Sequence, residues 1–239
     1  MRGHGARLRR HQRADYSAAI AAARLLDGVD PDRIVLWGTS YSGGHIVPAA
    51  VRDGRIAAIV SMTPAMDGLA VLRSLAAHAP RTLARLVLHG LRDGARALIR
   101  LTPHHIPIVG LPGSAAIITT PGALAGYTEL AGPTWRNEVC ARTALEVALN
   151  RPGRLASRLT CPVLVQVGEN DSVAPPAAAR RAAARAGRHA ELLTYPVDHF
   201  DVYAGPWQRQ ALADQLEFLS RQAAPARGTS RKDGRVMVT

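Results

Sequence analysis

Three residues far apart in the sequence carry the chemistry this chain could do: Ser40, Asp171 and His199. Ser40 sits in Gly38-Thr39-Ser40-Tyr41-Ser42-Gly43-Gly44, directly after the apolar run Ile34-Val35-Leu36-Trp37. A β-rich run, a serine flanked two residues away by glycine or serine, and then a helix-compatible segment read as a tight turn. Such a turn needs small neighbours and pushes one hydroxyl out over the end of a sheet. Downstream, Pro162-Val163-Leu164-Val165-Gln166-Val167 leads into Gly168-Glu169-Asn170-Asp171, and Glu191-Leu192-Leu193-Thr194-Tyr195 leads into Pro196-Val197-Asp198-His199. Serine, acid and histidine thus follow one another in a known triad order, each after a predicted strand. A serine hydroxyl is a poor nucleophile until an imidazole takes its proton, and a carboxylate must hold that imidazole in the correct tautomer. Glu169 and Asp198 stand as rival acids beside Asp171.

The elements that must position these groups are short. Strand-like runs occur at 33–37, 56–62, 162–167 and 190–195, alternating with helical segments, a pattern that argues for a parallel sheet covered on both faces. Ala19, Ile20, Ala23 and Leu26 recur at helical spacing and predict a helix over 15–26. After the serine turn, 44–51 reads as a helix that includes His45. From Pro64 to Ser157 the strand rhythm stops, and the pattern predicts helices over 66–78, 80–102 and 134–149. His104 and His105 read as a polar step in a loop, followed by an apolar stretch broken by glycine and proline. A last helix over 206–222 carries Leu212, Leu216 and Leu219, predicted to pack on the sheet.

Residues 15–222 resemble the α/β-hydrolase superfamily, in particular bacterial esterase- and dipeptidyl-peptidase-like members whose nucleophile turn matches Gly38 to His45. The strict pattern has glycine where Ser42 stands. The resemblance implies Ser40 as nucleophile, Asp171 as acid, His199 as base, and the Tyr41 backbone N–H as an oxyanion donor. Gly168-x-x-Asp171-x-x-x-Pro175 resembles the family's acid loop, which ranks Asp171 ahead of Glu169 and Asp198; Asp198 also adjoins His199 too closely to orient it easily. The expected fold is α/β, a mostly parallel sheet with helices on both faces. Its core is expected at 1–63 and 158–222, with a helical lid insertion at 64–157 and a disordered tail at 223–239.

The family has eight strands and only four are legible, so the N-terminal half of the sheet is expected to be missing. Arg2-Gly3-His4-Gly5 resembles the loop after the family's fourth strand. The second oxyanion donor comes from a loop with no counterpart here, and losing such a donor costs about a hundred- to a thousandfold in rate. A misplaced start codon is the favoured explanation, a truncated gene product the other. An uncovered edge strand also predicts self-association. The expected activity is serine hydrolysis of a small-molecule carboxylic ester, thioester or peptide-like amide through an acyl-enzyme, without cofactor or metal. The competing expectation is a non-catalytic fragment that acts by edge-strand pairing.

Composition narrows the field further. At 239 residues the chain suits one domain with an inserted lid. The formal charge is +12, yet Lys232 is the lone lysine and the arginines are dispersed. With aromatics at 4 %, the stacking platforms of a nucleic-acid binder are lacking, so no specific nucleic-acid partner is expected. No apolar run approaches the roughly 20 residues of a membrane span, and a cytoplasmic location is the expectation. Cys140 and Cys161 fit no metal spacing and read as buried thiols.

Overall fold

The computed structural model describes residues 8–223; the Arg2–Gly5 segment and the predicted tail beyond Ala223 lie outside the described residues. In chain order the strands are β1 (Val35–Thr39), β2 (Ala58–Met62), β3 (His105–Ile106), β4 (Val139–Cys140), β5 (Val163–Gly168) and β6 (Ala190–Tyr195). The helices are α1 (Leu8–Ala23), α2 (Ser40–Asp53), α3 (Gly68–His78), α4 (Pro80–Leu98), α5 (Ala123–Leu130), α6 (Thr143–Val147), α7 (Pro176–Ala186) and α8 (Gly205–Ala223).

The main sheet runs β1-β2-β5-β6, all parallel, from the four runs legible in the sequence. β2 and β5 are central and buried along their whole lengths, as continuous apolar runs in a parallel sheet must be. Successive side chains point to opposite faces. Ile59, Val163, Val165 and Val167 therefore face α1, α2 and α7, whereas Ala58, Val60 and Leu164 face Phe218 of α8. α7 turns five alanines, from Ala178 to Ala186, into that first core.

Polar groups inside the sheet are fully engaged. Gln166 on β5 is buried; its amide donates to the Tyr195 hydroxyl (2.6 Å) and the Ala211 carbonyl (2.8 Å), and accepts from Gln215 (2.7 Å). Gln215 in turn accepts from the Trp37 indole at 3.0 Å, and the Tyr195 hydroxyl donates to Asp214 at 2.6 Å. Burial, reinforced by the Asp214 carboxylate, pushes the Tyr195 phenol well above its ordinary range.

Several sequence expectations are corrected. On α8 the inward face is Ala211, Gln215 and Phe218; Leu212 and Leu216 are 51 % and 61 % exposed, and of the three predicted leucines Leu219 alone packs against the core. The helical spacing is right but its phase is one residue off, because Gln215 is buried for its hydrogen bonds. The helix predicted over 134–149 is replaced by β4 and the single turn of α6. Asn137 explains this: its side chain accepts from the backbone N–H groups of Ile108 and Val109 and donates to the Val109 carbonyl. Such side-chain bonding offers the backbone an alternative to a helix. The helix predicted over 80–102 stops at Leu98, and Arg100 turns the chain with φ 58°. His105 lies in β3 rather than in a loop, and Cys140 is half-buried rather than buried.

Residues between β2 and β5 form an insertion whose two roots are clamped together. The Gly68 N–H donates to the Asn150 carbonyl (2.8 Å), and the Gly153 N–H to the Met66 carbonyl (3.0 Å). Arg151 makes a two-pronged contact with Asp67 (2.8 and 2.9 Å). Asp67 also caps α3 by accepting from the Leu69 N–H. Burial raises the Asp67 carboxyl, but Arg151 and that capping bond outweigh it and leave the group below the ordinary carboxylate range.

Candidate active site

Ser40 stands where β1 ends and α2 begins, with φ 50°, a left-handed conformation that non-glycine residues rarely adopt. Small neighbours make that turn possible. A Cβ on Gly38 would lie 2.7 Å from the Ser42 carbonyl oxygen, and one on Gly44 2.5 Å from the Ala65 carbonyl oxygen. Ser42, which replaces a glycine of the strict pattern, closes the turn from inside. Its Oγ donates to the Thr39 carbonyl (2.7 Å) and accepts from the Thr39 N–H (3.0 Å). The Ala65 N–H donates to the Ser40 carbonyl at 2.9 Å, tying the turn to the end of β2.

Asp171 and His199 arrive from loops that follow β5 and β6, and both are buried. His199 Nδ1 lies 2.7 Å from Asp171 Oδ2, and Nε2 lies 3.1 Å from Ser40 Oγ. With a neutral imidazole, Nδ1–H donates to the carboxylate and Nε2 accepts from the serine hydroxyl. The other Asp171 oxygen accepts from the backbone N–H groups of Val173 (2.9 Å) and Ala174 (2.6 Å), which fixes the carboxylate plane. Asp198, the nearer rival in sequence, faces away. It accepts from the N–H groups of His199 and Ser172 and from the Ser172 hydroxyl, so it holds the two loops together. Glu169 lies on the surface beside Arg180. The structure therefore brings Ser40, Asp171 and His199 together and sets both rivals aside. Tyr41 opens the first turn of α2, and its ring meets that of His45 edge-on at 4.4 Å.

Sequence reasoning missed the aromatic surroundings. The Tyr203 hydroxyl sits between Thr39 Oγ1 (2.5 Å) and Thr63 Oγ1 (3.3 Å), and its ring centroid is 6.1 Å from that of His199. Burial raises its phenol pKa; the threonine hydrogen bonds oppose that and the Asp171 charge adds to it. Phe200 meets His199 edge-on at 5.1 Å. Tyr127 of α5 meets Phe200 at 5.6 Å and stacks on Trp135 at 6.0 Å. Together with Tyr41 these rings line a cavity of about 400 Å³ that contains Ser40 and His199. A larger cavity of about 620 Å³ shares Phe200 with it but includes neither Ser40 nor His199. The one available signal was Phe200 and Tyr203 following His199 so closely in a chain poor in aromatics.

Among the described residues no cluster of three or more histidine, cysteine or acidic side chains is arranged to hold a metal ion. Among the same residues, no helix is long and apolar enough to cross a membrane.

Comparison with known proteins bears on this arrangement. A model described as "Alpha/beta hydrolase family" matches residues 1–215. The chain is 38 % identical over 212 residues to the quorum-quenching protein AidA of Acinetobacter baumannii, covering 88 % of this chain and 68 % of that protein. Among solved structures, the alpha/beta hydrolase GrgF from Penicillium sp. sh18 superposes with a TM-score of 0.70 at 22 % identity, covering 90 % of this chain and 72 % of GrgF. The monoacylglycerol lipase of Paleococcus ferrophilus gives 0.60 at 19 % identity, covering 93 % and 78 %. At such identities the two structures establish the shared fold alone.

Proposed function

Because this chain belongs to the alpha/beta hydrolase family, we propose that it hydrolyses carboxylic esters, with thioesters and amides as chemical relatives, through Ser40, His199 and Asp171. The observation that carries the reading is the placement of His199, 2.7 Å from Asp171 on one side and 3.1 Å from Ser40 on the other. These are hydrogen-bond distances for an activated serine.

In this scheme Ser40 Oγ attacks the carbonyl carbon as its proton passes to His199 Nε2. Asp171 stabilises the imidazolium, and the Tyr41 backbone N–H donates to the developing oxyanion at the positive end of α2. Collapse of the tetrahedral intermediate breaks the bond to the leaving oxygen, which takes the proton from Nε2 and departs as an alcohol. Water then attacks the Ser40 ester, its proton going to His199, and the acid is released with Ser40 restored. The insertion acts as a lid over this site.

The test is active-site labelling with a fluorescent fluorophosphonate. Wild-type protein should label, whereas Ser40→Ala and His199→Ala should not, with thermal melts showing that both variants fold. Absence of label on folded wild-type protein would sink the proposal.

A second reading rests on a separate observation. Val35 and Trp37 on β1, an edge of the sheet among the described residues, are 39 % and 50 % exposed, next to a helix that leaves Leu212 and Leu216 uncovered. Such a surface favours association through the sheet edge. It predicts a dimer in light scattering that Trp37→Lys reduces to a monomer. A wild-type monomer rejects it.

A further inference from the structure

The chain carries three tryptophans, five tyrosines and two phenylalanines, and half of these rings line the cavity that holds Ser40. They are not scattered through it. Phe200, Tyr127 and Trp135 form a continuous wall, Tyr127 edge-on to Phe200 and nearly parallel to Trp135 at an interplanar angle of 25°. Gly126 allows that wall to close: a Cβ there would lie 2.5 Å from the Phe200 ring. His199 aside, the lining contains no acidic or basic side chain, and Leu130 is its largest aliphatic residue. The cavity, about 400 Å³, falls at the small end of the range for ligand pockets.

The wall has a definite place in the reaction. It begins at Phe200, whose ring meets the imidazole at 5.1 Å. In acyl transfer the protonated imidazole delivers its proton to the leaving oxygen, so the leaving group lies on the histidine side of the serine. From this we infer that the site selects esters of uncharged arylalkyl alcohols, with the aromatic ring of the leaving alcohol seated against Phe200, Tyr127 and Trp135. Ring-on-ring contact favours such a group beyond simple burial, and an alkyl chain of equal size gains burial alone. Charged leaving groups are disfavoured, because the walls offer no compensating charge.

This inference rests on the hydrolase reading, so its test has one arm that needs no turnover. In the first arm, kcat/KM is measured for 2-phenylethyl acetate and hexyl acetate. The wild type should favour the aryl ester about three- to tenfold. Trp135→Leu should bring the ratio towards one, and Trp135→Phe should restore most of it. Comparing a ratio within one protein separates specificity from any loss of folded material. A wild-type ratio at or below one, or a ratio unchanged in Trp135→Leu, overturns the inference. In the second arm, Ser40→Ala protein is titrated with 2-phenylethanol and with 1-hexanol, following tryptophan fluorescence. Saturable, preferential binding of 2-phenylethanol supports the aryl site even if no ester is hydrolysed. Equal or absent response to both alcohols rejects it even if esters are turned over.

Discussion

In the sheet, buried Gln166 has every amide atom engaged, and both oxygens of the Asp171 carboxylate are held. In the insertion between β2 and β5, the buried hydroxyls of Ser114, Thr120 and Thr143 have no hydrogen-bond partner among the described residues. Its own sheet is two strands of two residues each, and Leu88, Leu91 and Leu98 of α4 lie exposed. The sheet carries Ser40, Asp171 and His199, and in the proposed reaction a displacement of about 1 Å at such groups would cost about a hundredfold in rate. The insertion supplies Tyr127 and Trp135, which line the cavity. On the proposed function, fixed chemistry and adjustable specificity are thus divided between two parts of one fold, and the division can be tested at each part and at the joint.

The largest effect belongs to the rigid part. Asp171→Asn keeps the shape of the side chain but removes the charge that holds the imidazole tautomer, and should lower kcat about 10⁴-fold. Asp198→Asn, which loosens loop contacts without touching the ring nitrogens, should cost no more than about tenfold, or roughly 1.4 kcal/mol. Steady-state kinetics on a simple acetate ester, with melts to confirm folding, decides between them. Equal losses in the two variants would undo the assignment of the acid.

Next comes the joint. A Cβ on Gly68 would lie 1.7 Å from the Val147 carbonyl oxygen and 3.0 Å from that of Asn150, so Gly68→Ala must push the insertion's roots apart. Overpacking of this kind costs about 2–3 kcal/mol. Urea unfolding followed by both tryptophan fluorescence and far-ultraviolet dichroism should reveal whether the damage spreads. One shared, shifted transition means that the two parts unfold as a unit. An early transition seen by one probe alone sharpens the division.

A smaller effect is expected at Tyr203→Phe, which keeps the ring beside His199 and leaves Thr39 and Thr63 without their shared partner. Thr39 immediately precedes Ser40, so the serine loses part of its support. We expect kcat to fall about three- to tenfold with KM little changed, in line with the loss of about 1 kcal/mol of buried hydrogen bonding. A change confined to KM would instead mean that the Tyr203 hydroxyl serves substrate binding rather than the support of Ser40.

How much of this was legible beforehand follows the same division. Strands such as β5, which leads to Asp171, announce themselves because a buried parallel strand is a continuous apolar run. By contrast β1 and β6, which lead to Ser40 and His199, are only partly buried yet still read as strands. The phase of α8 was missed because Gln215, a polar residue, is buried for the sake of Gln166 and Trp37, while Leu212 and Leu216 are not. Within the insertion, pattern misled more often. Asn137 diverted a helix-compatible segment by capturing the backbone of Ile108 and Val109, a contact across nearly thirty residues that no local periodicity encodes. The aromatic wall escaped for the same reason, since Tyr127, Trp135 and Phe200 meet only after the insertion folds back over the histidine loop.

The smallest predicted effect tests whether the insertion is also the part that responds to acid. His104 stacks on His89 with Nε2 2.8 Å from His89 Nδ1, and its own backbone N–H donates to Asp93. Burial lowers its pKa, and the charges of Arg92 and His89 lower it further against the opposing pull of Asp93. The folded value therefore lies below the unfolded value of about 6.5, and the folded state binds fewer protons between the two. The sign follows: the contribution of His104 to stability is complete above about pH 6.5 and is lost as pH falls towards the folded value. Since the ring is partly exposed, the loss should be less than about 1 kcal/mol. Urea midpoints measured from pH 8 to pH 5 should decline more steeply in wild type than in His104→Phe, which cannot take up the proton. Parallel slopes in the two proteins would move the acid-sensitive element out of the insertion and weaken its contrast with the sheet.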